Sequence, residues 1–234
     1  MLGVVVLTVT VVPQLMADMA LPVTTWVVML VSSVQSALLV ALAVWLGVVL
    51  APKVGLRATA FEAAVNSGSI SLALWPQLLP AFVAGVLGGV GLFAIGGYAS
   101  PAVLANAEQQ FTVPLLARVL YGGVTEELLL RWGLMTVLLW LSWRFLQSGR
   151  GAPKQIYIWF AIIVSALLFG AGHLPAAAIQ VGELTAYIAL FVVGANAIFG
   201  LLFGYLYWRY GLEAAIIAHL TAHVVSYALS LGAT

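Results

Sequence analysis

The sequence lacks cysteine entirely, and only 6% of its 234 residues are charged, against about 25% in an average soluble domain. The absence of cysteine excludes disulfides and thiol chemistry. The scarcity of charge, together with 64% hydrophobic residues, excludes an ordinary water-soluble surface. No basic run is present, so nucleic-acid binding is also excluded as a function. A chain of this composition is predicted to lie in a lipid bilayer.

Long apolar runs fill almost the whole sequence. A bilayer core needs about 20 apolar residues per helix, and backbone groups in lipid must be hydrogen-bonded within their own segment. The predicted fold class is therefore all-α, a polytopic transmembrane helical bundle with about seven spans, and residues 1–234 are predicted to form a single transmembrane domain. The predicted spans lie near 2–17, 23–50, 76–99, 114–143, 156–173, 184–208 and 213–231.

The segments at and between the ends of these spans predict topology and packing. The run 2–12 has no basic residues before it and no cleavage site after it, so we expect a retained span and not a removed signal peptide. The break 53–75 predicts an interfacial amphipathic helix plus a loop. Lys and Arg fall in alternate loops, which predicts a cytoplasmic N-terminus in a prokaryotic cell membrane. Small residues four apart predict close helix packing at two pairs, Gly85 with Gly89 and Gly200 with Gly204.

Three ionisable residues fall inside the fourth predicted span, where each costs about 2.5 to 3.5 kcal/mol at the helix centre. They are Glu126, Glu127 and Arg131. On an α-helix Glu127 and Arg131 share a face, whereas Glu126 and Arg131 are separated by roughly 140°. We therefore expect a supporting Glu127–Arg131 ion pair, and a Glu126 without a local partner that suits a general base. The alternative is a protonated Glu126 that is hydrogen-bonded across helices. Arg118 lies near the end of the same span, where snorkelling of its side chain to the interface is a sufficient explanation.

All three histidines of the chain lie in or at the ends of the last spans. His219 and His223 are four apart, the spacing at which one helix offers two imidazoles to a metal ion or a substrate oxygen. Glu126 and His173 are each 18 residues from a residue at the same predicted boundary, or about 27 Å along a helix. The two side chains are therefore predicted to meet within the bilayer.

Three motifs in order resemble the CPBP intramembrane protease family, which includes type II CAAX prenyl endopeptidases and bacteriocin-processing (Abi) or immunity proteins. The resemblance covers roughly residues 112–231, which would then be the catalytic core. The motifs are Glu126-Glu127-x-x-x-Arg131, Phe169-x-x-x-His173 and His219-x-x-x-His223.

The resemblance implies hydrolysis of a peptide bond inside the membrane, in a membrane protein or a (lipo)peptide substrate. Glu126 and His173 match the residues that activate water in the family, and His219 and position 223 match those that contact the oxyanion or a metal. Many members have Asn where this chain has His223. That difference favours a Zn²⁺ site formed by His173, His219, His223 and Glu126 as a hypothesis.

Two other functions fit the same residues. A proton-coupled membrane transporter would use Glu and His as a relay, although the sequence shows no internal repeat of the kind many transporters carry. A non-catalytic bacteriocin-immunity or scaffold protein of the same fold would keep the motifs without cleaving a substrate. Flux of protons or solute that depends on Glu126, without proteolysis, would favour the transporter. Normal function of Glu126→Gln in cells would favour the non-catalytic protein.

Overall fold

Helices account for all the regular secondary structure that the structure describes. This computed structural model describes residues 1–17, 23–104 and 113–233, so the first residue of the predicted core, 112, lies outside the described residues. No strand is found in the described ranges. The α-helices are α1 (Leu2–Thr10), α2 (Val12–Met16), α3 (Thr25–Leu50), α4 (Thr59–Val65), α5 (Ile70–Leu104), α6 (Leu115–Ala117), α7 (Thr136–Leu141), α8 (Gln155–Ala171), α9 (Leu174–Val181), α10 (Ala186–Tyr210) and α11 (Leu212–Gly232).

Six helical segments in the described ranges are long and apolar enough to cross a membrane. The predicted all-α membrane bundle is therefore confirmed, and the seventh predicted span is the shorter apolar segment Leu2–Met16. That segment is divided between α1 and α2, with a proline in the first turn of α2. The six long segments are Thr25–Val54, Ile70–Gly97, Leu115–Leu146, Gln155–Val181, Ala186–Tyr210 and Leu212–Gly232.

The segment Leu115–Leu146, called here the 115–146 helix, is mostly π-helical and not α-helical. Its π segments are Arg118–Glu126, Leu128–Met135 and Ser142–Leu146. A π-helix bonds each residue to the one five positions away, whereas the predicted angle of roughly 140° between Glu126 and Arg131 assumes an α-helix. The wider π turns around the two residues reduce that angle. π-Helical turns are rare and frequently occur at functional sites.

Small residues allow the long helices to approach closely. A Cβ on Gly85 or Gly89 of α5 would lie 2.5 or 2.6 Å from side chains of α11. A Cβ on Gly200 or Gly204 of α10 would lie 2.8 or 3.1 Å from α8. Both predicted small-residue pairs are thus confirmed as close helix contacts, and the α5 contact holds the helix that carries His219 and His223.

The break between the first and second long segments contains α4, as the sequence predicts, but α5 begins at Ile70 and not near 76. Glu213, in the first turn of α11, accepts hydrogen bonds from the N–H groups of Ala60 (2.8 Å) and Phe61 (2.9 Å). Its buried carboxylate therefore caps α4 from a distant helix.

Glu62 of α4 is held as a carboxylate by its neighbours. Burial raises the pKa of Glu62, but the hydrogen bonds from Arg57 and the Ala58 N–H, together with the charge of Arg57, lower this pKa below its ordinary value.

Candidate active site

The 115–146 helix and α11 meet at a buried carboxylate and a buried imidazole. Oε1 of Glu127 lies 2.8 Å from Nδ1 of His219 and 3.1 Å from Nη1 of Arg131. The predicted ion pair between Glu127 and Arg131 is therefore confirmed. The contact with His219 was not predicted, because it joins residues 92 positions apart and no local spacing indicates it.

Arg131 connects the 115–146 helix to α8 and α10. Its side chain is 1% exposed, and Nη2 donates a 3.1 Å hydrogen bond to the Gly200 carbonyl. The guanidinium carbon lies 4.9 Å from the centre of the Phe169 ring and 5.5 Å from that of Phe203. Cation–π contacts of this kind stabilise a desolvated guanidinium. Arg131 therefore supports the site by joining three helices around Glu127.

Aromatic rings bring the three histidines into one cluster. The His219 ring stacks between Phe203, at 4.4 Å, and His223, at 4.8 Å. Phe169 meets His219 edge-on at 6.1 Å and His173 at 4.9 Å. The Phe169-x-x-x-His173 motif indicates only that Phe169 shares a helix face with His173. The structure shows that Phe169 is also the ring between His173, His219 and the Arg131 guanidinium.

His173 lies at the junction between α8 and α9, immediately before the first residue of α9. Its Nδ1 is 2.9 Å from the Phe169 carbonyl oxygen, which can only accept a hydrogen bond. In the neutral ring the proton is therefore on Nδ1, and Nε2 is left as an acceptor for a water proton. The side chain is half-buried, so Nε2 can be reached from the site.

Glu126 and Glu127 are adjacent in the sequence but differ in their surroundings. Glu127 is 0% exposed, whereas Glu126 is half-buried. No residue in the described ranges forms a hydrogen bond or ion pair with Glu126. Its charge is close enough to act on Arg131 and Tyr121. Glu126 is thus the accessible carboxylate of the pair, and Glu127 the one bound to its neighbours.

Gly122 provides the surface against which His223 packs. A Cβ on Gly122 would lie 2.7 Å from Nε2 of His223, so only glycine leaves the imidazole its present position. Nδ1 of His223 is buried and has no hydrogen-bond partner among the described residues. Arg118, His173 and His219 lie close enough to His223 for their charges to act on it. The structure therefore brings all three histidines next to the 115–146 helix.

A sequence model of the type II CAAX prenyl endopeptidase Rce1-like family matches residues 108–225, which is half of the chain. The chain belongs to this family. No curated protein and no solved structure matches it. The matched range contains Glu126, His173, His219 and His223, and it is close to the range 112–231 over which the sequence resembles the CPBP proteases. The protein is therefore a multi-pass membrane protein of a CAAX endopeptidase family.

The three histidines do not form a metal-binding group in this structure: within the described ranges, no three His, Asp or Glu side chains come together around one point. Nδ1 of His219 is bonded to Glu127 and Nδ1 of His173 faces a carbonyl, an arrangement that metal-ligating histidines also show, with Nε2 as the ligand. The Zn²⁺ site formed by His173, His219, His223 and Glu126 stays a prediction, and the mechanism below uses the side chains alone.

Proposed function

We propose that this membrane protein is an endopeptidase that hydrolyses a peptide bond of a membrane-associated substrate with water activated by Glu126 and His173. The observation that carries the proposal is the contrast between two adjacent carboxylates. Glu127 is buried against Arg131 and His219, whereas Glu126 is half-buried and has no partner among the described residues. A general base must be free to take a proton from water, and only Glu126 meets that requirement.

In the first step, Glu126 and Nε2 of His173 hold a water molecule next to the substrate carbonyl. Glu126 takes one proton from the water, and the remaining hydroxide forms a bond to the carbonyl carbon. The carbonyl oxygen becomes an oxyanion in the tetrahedral intermediate. Nδ1 of His173 remains on the Phe169 carbonyl oxygen, 2.9 Å away, so Nε2 stays available to accept a hydrogen bond from the O–H that the hydroxide keeps.

His219 and His223 then donate hydrogen bonds to the oxyanion, His219 through Nε2 of a doubly protonated ring because its Nδ1 is bonded to Glu127. The intermediate collapses as the C–N bond breaks, and the proton held by Glu126 passes to the leaving amine. The products are a carboxylic acid and an amine, and Glu126 is again ionised. Preorganised hydrogen-bond donors at an oxyanion in a water-poor site each contribute typically about 3 to 4 kcal/mol to the barrier. The stack of Phe203, His219 and His223 holds the two imidazoles in place before the substrate arrives.

The substrate class proposed is a protein or lipopeptide that reaches the site from the lipid bilayer. The name of the family points to a prenylated C-terminal segment, whose lipid would partition into the bilayer beside the long helices. The cytoplasmic N-terminus stays a prediction from the positions of Lys and Arg.

The experiment compares membrane proteomes of cells that express the wild type, Glu126→Gln or His173→Ala. We expect uncleaved precursors to accumulate in both variants, and the purified wild type to cleave one of those precursors in lipid vesicles. Glu62→Gln is the matched control, because Glu62 lies on α4, outside the six long segments, and pairs with Arg57.

Normal processing by Glu126→Gln would contradict the proposal and favour a scaffold or immunity protein. Proton flux that depends on Glu126 in vesicles, without proteolysis, would favour the transporter. Thermal unfolding in detergent must show that Glu126→Gln remains folded. That result is expected, because Glu126 has no described polar partner whose contact the substitution would remove.

A further inference from the structure

Arg118 is a cation near the active site that the proposed mechanism does not use. It is the first residue of the π segment Arg118–Glu126 and is half-buried. Its Nε donates a 2.9 Å hydrogen bond to the Val113 carbonyl. No residue in the described ranges forms a hydrogen bond or ion pair with its two terminal nitrogens. Nε of Arg118 is therefore held by the Val113 carbonyl, while the two terminal nitrogens have no partner among the described residues.

The position of Arg118 on its helix directs it toward the catalytic residues. Arg118, Gly122 and Glu126 are spaced four apart in the π segment Arg118–Glu126, where four residues are close to one turn, so they follow one another along one side of the 115–146 helix. Gly122, in the middle of this row, contacts the ring of His223. Arg118 is also close enough to His223 for its charge to act there. The side of the 115–146 helix that carries Arg118 therefore faces the active site. A role at that site is a second explanation, besides snorkelling, for an arginine at this position.

We propose that Arg118 binds the C-terminal carboxylate of the substrate. The inference rests on the proposed proteolysis and adds a recognition site to it. A guanidinium presents two parallel N–H donors that match a carboxylate. A carboxylate that enters a membrane site loses its hydrating water, which costs free energy. A cation that also donates hydrogen bonds to the carboxylate offsets this cost. Among the site arginines, Arg131 already contacts Glu127 and Gly200, so Arg118 is the available cation.

Arg118 and Glu126 are the first and last residues of the π segment Arg118–Glu126. A carboxylate bound at Arg118 would therefore lie along the 115–146 helix from a bond cleaved beside Glu126. The site should favour substrates whose C-terminus lies near the cleaved bond.

The experiment uses two versions of one fluorogenic peptide, S-farnesylcysteine followed by three aliphatic residues, ending in a free carboxylate or in an amide. The full-length protein in lipid vesicles should cleave the free acid about tenfold faster in kcat/KM, the effect of one good charge-assisted contact. Arg118→Gln should reduce cleavage of the acid to the level of the amide and leave the amide unchanged. Arg118→Lys should restore part of the preference, and Arg144→Gln, which changes an exposed arginine, should preserve all of it.

A binding measurement separates this inference from the proposed function. Fluorescence anisotropy with Glu126→Gln protein should show tighter binding of the acid than of the amide, and the added Arg118→Gln change should abolish the difference. Equal binding of the two peptides to Glu126→Gln would overturn the role of Arg118, whether or not the wild type cleaves them. An equal loss of acid and amide cleavage in Arg118→Gln would also overturn it, because a structural role affects both substrates alike.

Discussion

Nδ1 of His219 lies 2.8 Å from Oε1 of Glu127, although 92 positions separate the two residues. An ionised carboxylate only accepts hydrogen bonds, so Nδ1 carries the proton and the ring orientation is fixed. Nε2 of His219 can then donate to an oxyanion only from a doubly protonated ring. Glu127 is therefore a positioning residue for His219 as well as the partner of Arg131.

The first prediction concerns the buried ion pair. Arg131→Met leaves Glu127 buried without its cation, and we expect a loss of about 3 to 5 kcal/mol in the free energy of unfolding. The double variant Glu127→Gln/Arg131→Met removes both charges and should recover most of that loss. Unfolding by SDS in mixed micelles measures the free energy of unfolding of both variants. Arg144→Met, which changes an exposed arginine, is the control. A double variant as unstable as the sum of its single changes would show that the pair is not a coupled unit.

The second prediction concerns His223, whose ring stacks on that of His219. His223→Asn keeps a side-chain N–H donor, and we expect kcat to fall by less than about tenfold. His223→Leu removes the donor, and the loss of one oxyanion contact predicts a fall of about 100- to 1000-fold. Steady-state cleavage assays of purified protein distinguish the two. Equal activity of the Asn and Leu variants would exclude His223 from the oxyanion site.

The third prediction concerns Gly122, whose Cβ position lies 2.7 Å from Nε2 of His223. Gly122→Ala should displace the imidazole, reduce kcat by about tenfold or more, and destabilise the fold by no more than about 1 to 3 kcal/mol. His223→Asn added to Gly122→Ala should restore activity, since the smaller side chain makes room. Gly194→Ala is the control, because no atom outside its own stretch of α10 lies within 4 Å of the added carbon. If the double variant Gly122→Ala/His223→Asn stays inactive, the loss of activity in Gly122→Ala comes from a change in the backbone and not from displacement of His223.

The fourth prediction concerns the cap that Glu213 supplies to α4. Glu213→Ala leaves the N–H groups of Ala60 and Phe61 without their acceptor, and each unsatisfied buried donor costs about 1 to 3 kcal/mol. Hydrogen exchange followed by mass spectrometry should show faster exchange across Thr59–Val65. Glu213→Gln keeps an oxygen acceptor and should protect most of these amides. Glu183→Ala, at an exposed site, should leave exchange in α4 unchanged, and equally slow exchange in Glu213→Ala would exclude the cap.

The sequence predicts features that depend on neighbours along the chain. The Glu127–Arg131 pair follows from a spacing of four, and the spans follow from the length of the apolar runs. The predicted start of the next span near 76 is wrong, because α5 begins at Ile70 and continues through Pro76. Proline is tolerated inside transmembrane helices, where other groups satisfy the backbone carbonyl that it frees.

The sequence does not predict the contacts that form between distant helices. Nothing in the composition of Arg118–Glu126 indicates a π-helix, since the wider turn depends on how neighbouring helices pack around it. The contact of Glu127 with His219 depends on the approach of α11 to the 115–146 helix. The motifs therefore identify the candidate residues, and only the fold separates Glu126, which is accessible, from Glu127, which is not.

The close contact between Gly47 and Trp132 has a consequence for exchanging segments between relatives. A Cβ on Gly47 would overlap the Trp132 indole, and the indole Nε1 donates a 3.3 Å hydrogen bond to the Val44 carbonyl. The family match includes Trp132 but begins well after the end of α3. A chimera that takes residues 108–225 from this chain would therefore need a glycine at the position facing Trp132 in the recipient. Without that glycine, the transferred segment would bring in a tryptophan that has no space.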